Sequence, residues 1–131
     1  MQDDTRRALV DSLSGYHSLV EIGIGRRTAV ARALAARGAS VTATDIAERA
    51  VPDGVTFALD DVTDPSLDVY EGAEALYALN LPPELHRPAA DVAANVGAVF
   101  LFTTLGGDQP TIPVTRETLP DETLYRGRRG R

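Results

Sequence analysis

The sequence predicts an α/β fold: a three-layer, Rossmann-like parallel sheet of about five strands in the order 3-2-1-4-5. Three observations carry this. Short apolar runs alternate with stretches of helical period along the 131 residues. The stretch Val20–Ile46, VEIGIGRRTAVARALAARGASVTATDI, joins a strand, two glycines, a helix and a second strand ending in Asp45. The segment Ala98–Thr104, AVFLFTT, is continuously β-branched or aromatic apart from its small and leucine positions. Right-handed crossovers and a switch point beside the first strand then set the strand order. Residues 1–125 are expected to form a single domain, followed by an Arg/Gly tail at 126–131 expected to be disordered.

Each element has a local reason. Asp4–Leu13 is expected to be helical, with Asp3, Asp4 and Thr5 offering N-cap chemistry and Gly15 ending it. Ser18–Ile22 reads as the first strand. Arg26–Arg37 reads as a helix whose Val30, Ala33 and Leu34 share one side, with Gly38 as C-cap. Ala39–Thr44 and Val55–Leu59 are the next strands, the second entered through the Pro52-Asp53-Gly54 turn. The acidic, turn-rich Asp60–Tyr70 is a loop or one helical turn. Ala73–Leu79 is the fourth strand. Pro83–Asn95 is a helix that Pro88 should kink or delay. Thr111–Tyr125 holds another short strand or two.

Composition narrows the function. There is no cysteine, which removes disulfides, thiolate metal sites and a Cys nucleophile. Neither a secretory leader nor a bilayer-spanning run is visible, so a cytoplasmic protein without membrane attachment is expected. All 13 basic residues are arginine and the net charge is -6. This composition suits hydration in a salt-rich, halophilic cytoplasm, where the Debye length shrinks to roughly 3 Å at 1 M salt. Since the tail holds four arginines, the preceding residues carry a net charge of -10. Nucleic acid is therefore expected to be touched only through the Arg-rich tail.

The glycine motif points to a ligand. A strand, glycines and a helix start present unpaired N–H groups and a positive dipole end to an anion or nucleotide. Asp45 closes the next strand about 22 residues beyond Gly23, where an acid bonds ribose hydroxyls. A small adenosine-type ligand follows. For NAD, Gly23 and Gly25 fit G-x-G-x-x-G, but Thr28 occupies the third position. For S-adenosylmethionine, Glu21 stands two residues before the first glycine and can face the ligand's ammonium through water, while Arg27 occupies the place of the usual third glycine. A carboxylate there would repel a pyrophosphate, so S-adenosylmethionine is favoured over NAD. Asp60 and Asp61, after the third strand, are positioned for an adenine amino group. Asn80, at the exit of the fourth strand, is the one acceptor-side candidate for catalysis. The Asn80-Leu81-Pro82-Pro83-Glu84 sequence departs from the Asn/Asp-Pro-Pro-aromatic motif of amino-methyltransferases, both by Leu81 and by Glu84.

Other chemistry finds little support. His17 and His86 are far apart and read as ordinary surface or half-buried histidines. The aspartates 60, 61, 64 and 68 lack calcium-loop spacing, so no metal site is expected. No G-x-S-x-G elbow is present, and a chain without lysine has no P-loop.

With VEIGIG, DDVTDPSLDVYEGA, ALYALNLPPELHRP and AVFLFTTLGGD in place, the chain resembles the small archaeal proteins of uncharacterised protein family 0146. The resemblance implies a truncated, methyltransferase-like Rossmann fold with no assigned activity. Little chain remains after Thr104, so the terminal antiparallel hairpin of a full methyltransferase domain is expected to be missing. A non-catalytic module that binds a nucleotide or a protein partner is the alternative to an S-adenosylmethionine-dependent methyltransferase.

Overall fold

The computed structural model describes residues 1–128. Its elements run α1 (Asp3–Leu13), β1 (Ser18–Glu21), α2 (Ala29–Ala36), β2 (Ser40–Asp45), β3 (Val55–Leu59), β4 (Ala75–Ala78), α3 (His86–Val96), β5 (Val99–Phe102), β6 (Val114–Leu119) and β7 (Glu122–Gly127). Seven strands form one sheet in the order β3-β2-β1-β4-β5-β7-β6. The first five are parallel in the expected order, while β7 runs antiparallel to both β5 and β6.

Pleating divides the core. From β1, Leu19 faces α1 and α2, where Leu9, Leu13 and Leu34 are fully buried or nearly so. Val20 faces the opposite layer, with α3 residues Ala89, Val92 and Ala93. Alternate strand residues thus feed separate helical layers, as a three-layer sheet requires.

The terminal hairpin corrects an expectation: it is present as β6 and β7, making seven strands rather than about five. Pro120 and a left-handed Asp121 (φ 57°) make its turn. Thr5 donates to the Pro120 carbonyl (2.7 Å) and Ser12 to Glu117 (2.8 Å), so α1 grips the hairpin. The abbreviation falls instead on the crossovers. No helix joins β2 to β3 or β5 to β6, and only a 3₁₀ turn, Leu67–Val69, lies between β3 and β4.

Smaller departures have local causes. The second helix starts at Ala29 rather than Arg26, because a turn closed by the Arg27 N–H on the Ile24 carbonyl (3.3 Å) comes first and the first helical bond runs from the Arg32 N–H to the Thr28 carbonyl (2.9 Å). At α1, Gln2 holds the N-cap position without a side-chain cap, and Asp3 and Asp4 lie in the first turn, where their charge favours the helix dipole. Pro88 delays α3 rather than kinking it. A 3₁₀ turn at Pro83–Leu85 precedes the helix, and Pro88 falls in the first turn, where its missing N–H leaves no bond unmade. The expected 126–131 tail begins inside β7 with Arg126 and Gly127. Residues 129–131 lie outside the described residues.

Candidate functional site

Parallel strands bring their carboxyl ends to one edge, so the Gly23 loop, Asp45, Asp60 and Asn80 all follow strands onto that edge. Ile22 and Ile24 anchor the loop. The Ile22 N–H reaches the Tyr77 carbonyl (2.8 Å), and the Ile24 N–H reaches that of Thr44 (3.0 Å). Between them Gly23 takes φ 70°, a left-handed conformation that favours glycine.

Asp45 clamps this loop. One carboxylate oxygen accepts from the Gly25 N–H (2.8 Å), and the other accepts from the Ala47 N–H (3.1 Å). Arg49 Nε lies 3.5 Å from the first oxygen, close enough for an ion pair but outside hydrogen-bond geometry. Burial works against the charged form, but the Ala47 and Gly25 N–H groups and the Arg49 charge outweigh it and hold the Asp45 carboxyl below its usual range. Asp45 is only 8% exposed, which makes it a buried strand end rather than a freely solvated one.

Glu21 lies elsewhere. It is 1% exposed and faces the layer of α1 and α2, where Tyr77 donates its hydroxyl to the carboxyl group (2.7 Å). Burial pushes Glu21 up to about 8, against the smaller opposing effect of the Tyr77 bond. The carboxyl is therefore neutral at pH 7.

Asp60 and Asp61 organise their own segment. Asp60 accepts from the Ser66 N–H (2.9 Å) and from the Tyr70 hydroxyl. Asp61 accepts from both the N–H (2.9 Å) and the hydroxyl (2.6 Å) of Thr63. Asp60 also reaches the clamp through its backbone, since its N–H donates to the Asp45 carbonyl (3.0 Å).

Asn80 has a positive φ (54°), and its N–H donates to the Thr103 hydroxyl (2.8 Å). With its amide oriented to satisfy both ends, Oδ1 accepts from Arg27 (2.7 Å) and Nδ2 donates to the Thr104 carbonyl (3.3 Å). Asn80 thereby ties the exits of β4 and β5 to the glycine loop. The structure thus joins Gly23, Gly25 and Asp45 directly and connects Asn80 through Arg27, while the Glu21 side chain lies apart. Sequence reading missed Arg27 as the partner of Asn80, which is 53 positions away in the chain. It also missed Tyr77 as the partner of Glu21.

His86 differs from its expectation as a surface or half-buried residue: it is fully buried. Its Nδ1 accepts from the Thr111 N–H (3.2 Å), leaving Nε2 to donate to the Leu81 carbonyl (3.0 Å). The ring pins the segment before β6 to the turn after β4. Among the described residues, no helix is long and apolar enough to cross a membrane.

Solved structures share the fold. An RNA methyltransferase from Salinibacter ruber in complex with S-adenosyl-L-homocysteine superposes with a TM-score of 0.59 at 19% identity, covering 95% of this chain and 87% of that one. Magnesium protoporphyrin IX methyltransferase from Synechocystis with bound S-adenosylmethionine gives 0.63 at 13% identity, covering 93% and 76%. At these identities the likeness shows the fold alone: Rossmann-like and methyltransferase-like. Sequence similarity shows more. A UPF0146 protein of Halobacterium salinarum, an archaeal relative, is 52% identical over 114 residues, covering 86% of this chain and 88% of the relative. The model of Uncharacterised protein family UPF0146 matches residues 5–126, and the chain belongs to that family.

Proposed function

We propose that the protein binds S-adenosylmethionine at the carboxyl edge of β1 and β2. The observation that carries this reading is the Gly25–Asp45 clamp. It sets a glycine loop, a helix start and an acid side by side, the arrangement an adenosine ligand needs. The residues fit such a ligand. A Cβ added at Gly23 or Gly25 would meet nothing within 4 Å, so the loop borders open space. Each Asp45 oxygen has accepted one N–H and keeps a further lone pair for a ribose hydroxyl. When bound, S-adenosylmethionine supplies a transferable methyl group. The chain's own contribution is to hold the ligand through the loop and Asp45 and to fix the β4 exit through Asn80.

Two considerations favour this ligand over NAD. Thr28 stands where a dinucleotide fingerprint wants its third glycine. Two of the structures that share the fold hold S-adenosylmethionine or its demethylated product. Glu21 supports neither ligand, because its carboxyl is neutral and turned into the core.

Calorimetric titration of the wild type with S-adenosylmethionine, S-adenosylhomocysteine and NAD tests the reading. Saturable binding of the first two, weakened at least tenfold (about 1.4 kcal/mol) by Asp45→Ala, is expected. Preference for NAD, or no binding of any of the three, would overturn it.

A further inference from the structure

A cavity of about 360 Å³ lies beside the glycine loop, between the start of α1, the start of α2 and the β4 exit at Leu79. Arg6, Arg26, Arg27 and Arg32 line it, and no carboxylate does. This is an unusual concentration in a chain with net charge -6. Two of the arginines are held in place: Arg6 by Asp3 (2.7 Å) and Arg27 by the Asn80 amide oxygen (2.7 Å). Among the described residues, Arg26 and Arg32 have no ion pair. The helix behind them adds to the positive potential. Thr28 makes no side-chain cap bond, and no acid occupies the first turn of α2, so neither a side chain nor a neighbouring carboxylate offsets its dipole.

We propose that this cavity binds the phosphate group of a small molecule, at a site that adjoins the adenosine ligand's and shares the start of α2 with it. Four arginines line it, one of them already paired with Asp3. A single carboxylate would leave most of that charge uncompensated. A phosphate ester or diphosphate supplies two or more charges and several acceptor oxygens in the geometry guanidinium forks match. The cavity is lined by residues of α1, the start of α2 and the β4 exit, and its small volume suits one small head group rather than a nucleic-acid strand. Because Arg27 joins it to Asn80, the site opens next to the proposed methyl-donor cleft. A phosphate-bearing methyl acceptor is its natural occupant, and that role rests on the reading above, whereas anion binding does not.

Inorganic pyrophosphate is the probe. Titrated into the wild type, it should bind saturably near one equivalent. The doubly substituted Arg26→Gln/Arg32→Gln protein should bind it at least tenfold more weakly while keeping its circular dichroism and thermal midpoint, since both side chains are exposed. Its affinity for S-adenosylhomocysteine should stay within about threefold of wild type, less than one kcal/mol. No saturable pyrophosphate binding, or binding unaffected by the double substitution, would overturn the proposal. A parallel loss of S-adenosylhomocysteine affinity would also overturn it, because the arginines would then be holding that ligand's own carboxylate. Pyrophosphate binding that meets these expectations in a protein without affinity for any adenosine ligand would support the anion site and sink only the methyl-donor reading.

Discussion

The ends of β1 and β2 place two carboxyl groups on neighbouring strands and treat them oppositely. Glu21 is 1% exposed and Asp45 is 8% exposed, so burial hardly distinguishes them. Their partners do. Glu21 has one phenol, and burial prevails, pushing it up to about 8. Asp45 has two backbone N–H groups and a guanidinium nearby, which prevail over burial and hold it low. A strand-end carboxylate stays charged when the turn that follows offers it donors. That difference leaves Asp45 charged beside the glycine loop and Glu21 a core group.

The largest expected effect is the pH dependence of Glu21. The folded protein keeps a proton that the unfolded chain releases, so stability is greatest below about pH 4.5 and falls as pH rises to about 8. Each pH unit in that window costs about 1.4 kcal/mol, or several kcal/mol across it. Glu21→Gln keeps an acceptor for Tyr77 and removes the titration. Urea unfolding at intervals across the window should show the variant gaining on wild type as pH rises. Parallel curves would mean that Glu21 is ionised in the folded protein and that the contrast with Asp45 is absent.

Asp45→Ala tests the other end of the comparison. The Asp45 carboxylate satisfies the Gly25 and Ala47 N–H groups. Removing it should cost about 1–3 kcal/mol at neutral pH even without ligand. The sign with pH is the reverse of Glu21: this contribution is present above the unfolded value of 3.8 and fades as pH falls through the lower folded value. Thermal melts at pH 7 and near pH 3 should show the gap between wild type and variant closing in acid. A gap of constant size would mean that the N–H bonds do not depend on ionisation.

The parallel half of the sheet was legible because its signals are local. VEIGIG and VTATD each combine an apolar run with an end marker, and AVFLFTT is buried along most of its length. The hairpin was harder to see. Four of the six β6 residues are exposed, so the strand shows neither alternation nor an apolar run. The carboxyl-edge positions of Gly23, Asp45 and Asn80 follow from strand order, whereas side-chain partners depend on packing. Glu21 meets Tyr77 across 56 positions, and no local spacing encodes that meeting. Burial of His86 was hidden for the same reason: its Thr111 partner comes from beyond β5.

Tyr70→Phe carries the comparison to the third strand end. Tyr70 is fully buried and its hydroxyl donates to Asp60, whose N–H in turn reaches the Asp45 carbonyl. Loss of that bond should cost about 1 kcal/mol in urea unfolding. If Asp60 supports the clamp, affinity for S-adenosylhomocysteine should fall modestly as well. A stability loss with unchanged affinity would confine Tyr70 and Asp60 to their own loop.

Asp61→Ala should have the smallest effect and marks the boundary of the site. Like Asp45, Asp61 is held low by hydrogen bonds, here from the Thr63 hydroxyl and N–H. The two differ in what those bonds connect. Asp45 joins β2 to a loop 20 positions earlier in the chain, whereas Asp61 bonds a residue two positions away. Asp61 is also exposed, so water can replace its carboxylate at both donors. A local turn of this kind does not hold separate strands in register, and its loss should leave the thermal midpoint and S-adenosylhomocysteine affinity at wild-type values. A clear drop in affinity with an unchanged midpoint would place Asp61 against the ligand. A low pKa alone would then be shared by two ligand-side carboxylates, and the reach of their hydrogen bonds along the chain would no longer distinguish site from loop.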